Sequence, residues 1–428
     1  MTNRIRLKQF YLPIVWLGLI ILQLTFPFKG WEILIIAFTL VILLSFWMVI
    51  SYRRNVSIKR RMRYGWAHVG DTIEEQIIVE NNSLFPLTWM EIHDSSTVPG
   101  REKAIGTSVN AGSTTVWKIK QKCLQRGLFT IGPTHIVTGD LFGIFELRID
   151  NPASTQMLVM PPVLPLPNIE ITGYGFSGEG RKRQKSYIKG IQVASVRDYN
   201  ANDPLHDIHW PSTARKNKLV SKTYDSTQVN QQWVILDLDR SVDFGEGLHS
   251  SREMAIMLAA SLLKQANDAN IPTGLIASSS EDLLWIYPQK GELHLRKAFT
   301  RLALVTGGDK PLQDLLHAFN DDVKSPSSAI IITPSLSPGW LSQLQKLHMR
   351  SIVPSVLLLS PLDNGLETAH YRKTLIDLGI NCHQITSAML DTSQLEKDAT
   401  NTWEWRITGT GRAILKKQPG DTSWKLIQ

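Results

Sequence analysis

Two long apolar runs near the N-terminus set the strongest constraint on how this chain folds. They cover residues 10–28 and 33–52 and are joined by the four residues 29–32. Each run is close to the roughly 20 residues that a helix needs to cross the hydrocarbon of a bilayer. Helices buried in a soluble core would show a polar face, and neither run has one. The pattern predicts two transmembrane helices arranged as a tight hairpin.

The distribution of charge predicts the orientation of that hairpin. The chain carries a net charge of +8, but residues 1–63 hold ten Lys or Arg and one acid, whereas the rest holds 36 basic and 37 acidic residues. Basic clusters precede the first run and follow the second, and such clusters stay in the cytoplasm. We therefore expect a two-pass protein of the cytoplasmic membrane with both flanks inside. Because the remainder is nearly neutral, nucleic acid is not an expected partner.

A cleaved signal peptide followed by one anchor is the alternative for this segment, and it would export the rest of the chain. No small-residue cleavage site follows the first run, and the basic residues 53–63 would have to be translocated. The two cysteines, Cys123 and Cys382, lie in no CxxC pattern, which suits a reducing compartment. Both observations favour the cytoplasmic interpretation.

The pattern after the membrane segment predicts two folded domains joined by a neck. Residues 55–167 hold short strand-like runs separated by turns, which indicates an antiparallel β-sandwich. Residues 168–230 form a linker and neck. The basic run at 181–185 is expected to be a solvated face, and the alternative is that it contacts anionic lipid headgroups. Residues 231–428 alternate strands and helices, which indicates a Rossmann-like α/β domain. The predicted fold is thus multidomain, with the transmembrane hairpin in residues 1–54.

A DxDxS arrangement follows the first predicted strand of the α/β domain. Asp237, Asp239 and Ser241 place oxygen ligands on alternate residues, which can converge on a hard cation such as Mg²⁺. Asp237 can instead cap or brace the loop, and Asp239 can be solvated. Ser and Thr residues in 277–280 and 333–335 follow other predicted strands and offer further hydroxyls. The spacing makes Asp237, Asp239 and Ser241 a candidate Mg²⁺ site.

The neck, residues 190–225, is dense in side chains that hold a geometry. One interpretation is a lock, in which arginines grip carboxylates and aromatic rings pack across them. The residues of the lock are Arg197, Asp198, Tyr199, Asp203, His209, Trp210 and Arg215. The alternative is a membrane-bound metal-dependent hydrolase. Its residues are Asp198, Asp203, His206 and His209. No catalytic residue is assigned, because no nucleophile motif accompanies the cluster.

The same residues resemble the hallmark of a bacterial family, the domain-of-unknown-function 58 proteins, which are related to von Willebrand factor A domains. The matching positions are Arg197-Asp198-Tyr199, Asp203, Ile208-His209-Trp210 and Thr213-Ala214-Arg215. Segments 126–133 and 140–145 of the predicted sandwich resemble the family too. Asn202 and His206 stand where the family usually has glycine and arginine.

The resemblance implies a location, a fold and a partner. It implies a von Willebrand factor A-like domain, membrane anchoring in bacteria, and action with a MoxR-type AAA+ ATPase in the assembly or maturation of protein complexes. It also implies a degenerate adhesion-type cation site, since Asp239 stands at the first serine of DxSxS and the loop 333–335 has no aspartate. Thr306 is the candidate for the site's threonine. The sequence therefore predicts a non-enzymatic, membrane-anchored interaction module.

Overall fold

The structure is a computed structural model that describes most of the chain. The described residues are 3–63, 65–100, 104–166, 188–199, 208–227, 231–280, 283–350, 352–361, 365–390, 405–407, 413–415 and 425–427. They divide into two compact units. The first unit is Met1–Met160 with Gln394–Gln428, and the second is Pro161–Ser393.

The described helices and strands follow one another along both units. The helices are α1 (Tyr11–Thr25), α2 (Lys29–Asn55), α3 (Trp210–Lys216), α4 (Ser251–Asp268), α5 (Glu292–Leu304), α6 (Leu312–Asp322), α7 (Leu341–Met349) and α8 (Gly365–Asp377). The strands are β1 (Asn3–Leu7), β2 (Val56–Met62), β3 (Trp66–His68), β4 (Thr72–Asn81), β5 (Leu87–Asp94), β6 (Ala104–Val109), β7 (Ser113–Lys122), β8 (Gly127–Ile131), β9 (Thr134–Gly139), β10 (Phe145–Asn151), β11 (Thr155–Met160), β12 (Ile188–Asp198), β13 (Val220–Thr227), β14 (Gln232–Leu236), β15 (Thr273–Ala277), β16 (Leu284–Gln289), β17 (Ser327–Thr333), β18 (Ile352–Ser360), β19 (Asn381–Thr386), β20 (Trp405–Ile407), β21 (Ala413–Leu415) and β22 (Lys425–Ile427).

Both predicted apolar runs form helices in the first unit. Among the described residues, α2 is the one helix that is long and apolar enough to cross a membrane. The 15 residues of α1 fall short of that length. The indole nitrogen Nε1 of Trp16 donates a hydrogen bond to Oγ1 of Thr39 at 2.8 Å, which joins the two helices midway. The crossing of the membrane by both runs stays a prediction.

Three sheets form the sandwich of the first unit, and their strands pair antiparallel except β3, which pairs parallel to β11. One sheet has the order β1-β10-β9-β5-β6, a second has the order β22-β2-β4-β7, and a third has the order β3-β11-β8. Alternate residues of the strands point inward, as expected for sheets with one buried face. Ile77 of the second sheet and Leu147 of the first are both buried in one hydrophobic core. The predicted β-rich domain is confirmed.

The last turns of α2 belong to the core of this sandwich. Met48, Val49 and Tyr52 are buried with the inward residues of the sheets. The hydroxyl of Tyr52 donates to the backbone oxygen of Pro86 at 2.9 Å. The C-terminal end of the predicted span 33–52 therefore packs against protein, and the span itself stays a prediction.

The predicted domain boundaries also differ from the structure at both ends of the chain. β1 pairs with β10, so that Leu7 lies opposite Phe145, and the N-terminal residues join the sandwich. β22 pairs with β2, so that Leu426 lies opposite Arg61. These pairings place residues 3–7 and 425–427 in sheets of the first unit, whereas the predicted domains place them in 1–54 and 231–428. The difference has one cause, since pairing between strands distant in sequence leaves no local pattern.

The second unit contains a six-stranded sheet with the order β16-β15-β14-β17-β18-β19. All of its neighbouring strands pair in parallel except β16, which pairs antiparallel to β15. The parallel strands are continuous apolar runs, as expected for a sheet covered on both faces. Helices α6, α7 and α8 pack one face around Trp233, and the largely buried α4 lies against the central strands. The sequence pattern did not predict the edge strands β16 and β19.

The neck forms a two-stranded sheet and one short helix. β12 pairs antiparallel with β13, which places Arg197 opposite Ser221. Helix α3 begins at Trp210 and ends at Lys216. The basic run 181–185 lies outside the described residues, as do Asp203 and His206.

Candidate functional site

The candidate site lies at the carboxyl ends of β14 and β17, in the middle of the α/β sheet. From β14 the chain moves outward to β15 and β16 on one side, and from β17 it moves to β18 and β19 on the other. The loops that leave the two central strands therefore diverge and leave a crevice between them. Such a topological switch point is where open α/β sheets bind ligands.

Asp237 occupies this switch point, directly after β14. Its side chain is 2% exposed. Oγ1 of Thr333, at the end of β17, donates to its Oδ2 at 2.6 Å, and the backbone N–H of Asp239 donates to its Oδ1 at 3.2 Å. The hydroxyl of Thr333 in turn accepts the backbone N–H of Ser335 at 2.9 Å. One hydrogen-bonded chain therefore links the two diverging loops.

Burial raises the pKa of Asp237. The pKa of this carboxyl rises from an ordinary 3.8 to about 6, because the charged form loses its hydration. The hydrogen bonds from Thr333 and from the amide of Asp239 lower the pKa, and the neighbouring Asp239 carboxylate raises it. At neutral pH the site holds a buried, costly carboxylate. Groups perturbed in this way concentrate at functional sites.

Asp239 braces its own loop. Its Oδ1 accepts the backbone N–H of Ser241 at 2.9 Å, and its Oδ2 accepts the Ser241 hydroxyl at 2.8 Å. This geometry caps a short 3-10 turn at Arg240–Val242. Asp239 is 9% exposed and bonded within its own loop, rather than solvated as the alternative interpretation expected.

A neighbouring loop fixes the strand-end segment through backbone bonds. The N–H of Arg240 donates to the oxygen of Gly308 at 3.0 Å, and the N–H of Gly308 donates to the oxygen of Leu238 at 3.0 Å. A Cβ atom at Gly308 would lie 2.8 Å from the backbone oxygen of Ser279, so only glycine allows this approach. The loops after β14, β15 and α5 therefore form one packed surface.

The hydroxyl residues divide between two places on that surface. Thr306 pairs with Ser280 through their hydroxyl oxygens, 2.9 Å apart. Thr333 is the threonine that bonds the first aspartate of the DxDxS loop. Ser278 is fully buried, and its hydroxyl has no hydrogen-bond partner among the described residues.

Two arginines beside the site were not singled out from the sequence. Asp243 accepts hydrogen bonds from the Ser251 hydroxyl and from Nη2 of Arg252, at the start of α4. Arg240 is half exposed and lies 3.8 Å from the exposed Asp309. The signal for Arg252 is a serine and an arginine at the first helical turn, near an upstream aspartate. The same residue types are common at the start of any helix, so they do not by themselves indicate a site.

The donor chemistry of the site fits a hard cation only in part. Asp237, Asp239, Ser241 and Thr333 supply oxygen donors, which Mg²⁺ prefers. All four carboxylate oxygens already accept a hydrogen bond from within the site. The described residues contain no group of three or more His, Cys, Asp or Glu that could hold a metal ion. A cation here would need water or a partner's oxygen to complete its coordination.

The described neck residues take structural positions. Asp198 is exposed and forms an ion pair with Lys218 at 2.8 Å, which lowers the pKa of its carboxyl. His209 caps α3, since its Nδ1 accepts the backbone N–H of Ser212 at 3.2 Å. Trp210 is 65% exposed, so its ring does not pack across a lock within the described residues. Tyr199 is half-buried and Arg215 is exposed.

Neither interpretation of the neck is decided by these positions. The proposed lock and the proposed hydrolase cluster both need Asp203, and the hydrolase also needs His206. Those two residues lie outside the described residues. Both interpretations stay predictions.

The family resemblance is confirmed by comparison of sequences. Residues 195–372 match the family described as "Protein of unknown function DUF58". An uncharacterised protein of Mycobacterium tuberculosis is 21% identical over 179 residues, which is 41% of this chain and 56% of that protein. The uncharacterised protein YeaD of Bacillus subtilis is 22% identical over 264 residues, 59% of this chain and 63% of YeaD. The matches thus leave more than a third of each relative uncovered.

Two solved structures resemble parts of the fold. The von Willebrand factor A domain of SpRpn10 is 11% identical, with a TM-score of 0.29, over 40% of this chain and 95% of that domain. The CARDB domain of a Pyrococcus furiosus protein is 11% identical, with a TM-score of 0.19, over 24% of this chain and 92% of that domain. Neither likeness bears on function.

Proposed function

We propose that this chain, a protein with a DUF58-family segment at residues 195–372, is a membrane-anchored protein-interaction module. In this proposal α1 and α2 hold the protein in the cytoplasmic membrane. The α/β unit acts as a von Willebrand factor A-like domain and binds a protein partner with the loops at its strand ends. The observation that carries the proposal is the buried Asp237 at the switch point of the sheet.

The two ends of the apolar segment support a two-pass anchor. β1 precedes α1 and is paired to β10, while the last turns of α2 lie in the core of the same unit. The chain therefore enters and leaves the apolar segment from one folded body. If α2 crosses the bilayer, β1 can keep its place only if α1 crosses back. The 15 residues of α1 span about 22 Å, and local thinning of the bilayer can accommodate that length.

The charges beside the helices support a cytoplasmic location. Arg53 and Arg54 end α2 and are exposed, and Lys8 precedes α1. Basic residues next to a membrane segment are retained on the cytoplasmic side. Protease added to intact spheroplasts should leave the α/β unit uncut, whereas protease added to inverted membrane vesicles should cut it. The reverse pattern would place the unit outside the cell.

The strand-end surface has features suited to recognition. A buried carboxylate sits beneath loops that backbone hydrogen bonds hold in place, so little conformational freedom is lost on binding. The half-exposed Arg240 and the exposed Asp309 offer charges of both signs at the rim. Charged rims set specificity and association rate more than affinity. A protein surface with complementary charges is therefore the partner this site suits best.

In this proposal Mg²⁺ would be held by Asp237, Asp239 and Ser241. Its charge would attract an acidic side chain of the partner, whose oxygen would fill an open coordination position. By family resemblance, the proposed partner is a MoxR-type AAA+ ATPase. The proposed outcome of the interaction is assembly or maturation of a protein complex.

Binding between purified components tests this proposal. The full chain in lipid nanodiscs would be mixed with the MoxR-type ATPase of the same genome, with Mg²⁺ or with EDTA. We expect the double variant Asp237→Ala, Asp239→Ala to lose binding. The matched control is Asp268→Ala, Glu292→Ala, which removes one carboxylate at the end of α4 and one at the start of α5. Both lie toward the amino ends of the parallel strands, away from the candidate site.

Each outcome of that comparison has a distinct meaning. Loss in the strand-end variant with retention in the control supports the site. Equal binding by both variants would refute the strand-end surface as the docking face. Unchanged binding in EDTA would show that the partner contacts the loops directly and would remove Mg²⁺ from the proposal.

A further inference from the structure

An exposed apolar loop stands beside the base of the two apolar helices. We call residues 140–144, between β9 and β10, the base loop. Leu141 is 60% exposed and Phe142 is 46% exposed. Adjacent large apolar side chains at the tip of a connection usually mark a contact surface.

The base loop is held in this conformation by a buried carboxylate. Asp140 is fully buried and accepts the backbone N–H groups of Phe142, Ile144 and Phe145 at 3.0, 3.3 and 2.6 Å. Gly143 adopts a φ of +69°, which residues with a Cβ rarely adopt. The loop is therefore built to present Leu141 and Phe142 outward, rather than exposing them through lack of packing.

Hydrogen bonds and ring contacts fix the position of the base loop relative to the helices. The backbone N–H of Lys8, just before α1, donates to the oxygen of Ile144 at 2.8 Å. The ring of Phe46 lies 5.8 Å from the ring of Phe145, the first residue of β10 after the loop. The base loop therefore lies where the chain enters α1 and where α2 enters the sandwich core.

The surroundings have the composition of a membrane interface. Trp47 is 54% exposed and packs edge-on against Phe85, with ring centroids 4.9 Å apart. Leu84, which precedes Phe85 in the chain, is 76% exposed. Lys8 lies over the ring of Trp89 at 5.3 Å. Aromatic rings and lysines gather at the level of the lipid headgroups, where one end of the side chain is apolar and the other is hydrated.

We propose that Leu141 and Phe142 insert into the boundary between lipid headgroups and acyl chains. The bilayer is the occupant of this surface, because the loop adjoins helices that expose many of their apolar side chains, along α1 and along α2 as far as Trp47. The insertion seats the sandwich on the membrane and fixes its tilt. This inference rests on the proposed anchoring by α1 and α2.

Site-directed fluorescence on the full chain tests the insertion. Both native cysteines are buried, so an introduced cysteine can be labelled selectively with the environment-sensitive dye NBD. Phe142→Cys and Leu141→Cys report on the base loop, and Leu40→Cys, 62% exposed on α2, reports on the anchor. The matched control is Val116→Cys on β7, which is 46% exposed, as Phe142 is. Val116 pairs across the sheet with Ile78, which pairs in turn with Lys59 of β2. Lys59 lies four residues beyond the end of α2, so the control position is in the sheet and outside the apolar helices.

The labelled proteins would be reconstituted in vesicles of phosphatidylethanolamine and phosphatidylglycerol that carry nitroxide lipids. A nitroxide near the headgroup should quench NBD at positions 141 and 142 several-fold more than at position 116. A nitroxide deep in the acyl chains should quench NBD at position 40.

The outcomes separate this inference from the proposed anchoring. If position 40 is quenched while 141 and 142 behave like 116, the insertion is refuted and the anchor stands. If position 40 is not quenched either, the anchoring itself fails. If 141 and 142 are shielded in native membranes but accessible in pure lipid vesicles, a protein covers the loop and the inference is wrong.

Discussion

Replacing Asp237 with asparagine should stabilise the α/β unit at neutral pH. The carboxylate is buried, and its folded-state pKa of about 6 lies above the ordinary 3.8. The native state therefore binds the proton more tightly than the unfolded chain does. Stability from this group is fully present below pH 3.8 and is lost as the pH rises through about 6. At pH near 7.5 the wild type carries the whole penalty, and the amide carries none of it.

The size of the effect follows from that difference in pKa. At 1.36 kcal/mol for each unit, the rise from 3.8 to about 6 corresponds to about 3 kcal/mol. An asparagine at position 237 can keep both hydrogen bonds. Its oxygen can accept the N–H of Asp239, and its amide can donate to the oxygen of Thr333. Little of the gain should therefore be offset by lost contacts.

Hydrogen exchange measured by mass spectrometry is the suitable assay. The chain has two compact units, so a single free energy of unfolding for the whole molecule is not defined. Peptides covering β14 report the opening of the α/β unit, and peptides covering β4 give an internal reference in the other unit. For Asp237→Asn, protection in β14 should rise at pH 7.5 and change little near pH 4, after correction for intrinsic exchange.

A second variant with the opposite expected sign tightens the test. Thr333→Val removes the hydroxyl that lowers the pKa of Asp237, so it should reduce protection in β14 at neutral pH. The reasoning is refuted if Asp237→Asn is no more protected than the wild type at pH 7.5. An equal gain at both pH values would also refute it, because titration of Asp237 would then not be the cause.

Two further predictions concern buried charges of the sandwich. Arg60→Met should destabilise the first unit by about 3–5 kcal/mol, because it leaves the buried Glu75 and Asp94 without their shared cation. Exchange of β2 peptides measures this loss, and Lys59→Ala, which breaks a partly exposed pair, should cost under about 1 kcal/mol. Asp140→Asn should cost about 1–3 kcal/mol, because its amide group cannot accept the N–H groups that the second carboxylate oxygen accepts. Faster exchange in the residues that follow position 140 is the expected sign, and unchanged exchange would contradict the bracing role.

The parallel strands were the most predictable part of the fold. The apolar runs from which the sequence predicted an α/β domain form β14, β15, β17 and β18. Each is a short apolar run between turn or cap signals, and burial on both faces makes such runs uniform. The edge strand β16 alternates between partly buried and exposed residues, so its run is not uniformly apolar. A pattern of that kind is shared by strands and loops.

The residue types of the candidate site were predictable, but their connections were not. Asp237 and Asp239 were identified by their spacing after a strand. The partner of Asp237 is Thr333, 96 positions further along the chain, and only the pairing of β14 with β17 brings the two together. The sequence did not indicate Arg252, because a serine and an arginine at a helix start are common. The sequence therefore indicated where oxygen donors gather, and the strand order determined which of them meet.

The end of α2 shows why strong apolar patterns conceal contacts. Ser45, Met48, Val49 and Tyr52 are buried against the sandwich and are spaced as one face of a helix. In an ordinary helix the contrast with polar neighbours would reveal that face. Here the neighbours are apolar as well, because the preceding turns are suited to lipid. If α2 passes from the bilayer into the protein core, as we propose, no change in hydrophobicity marks the transition. Its buried face is defined only by the strands that cover it.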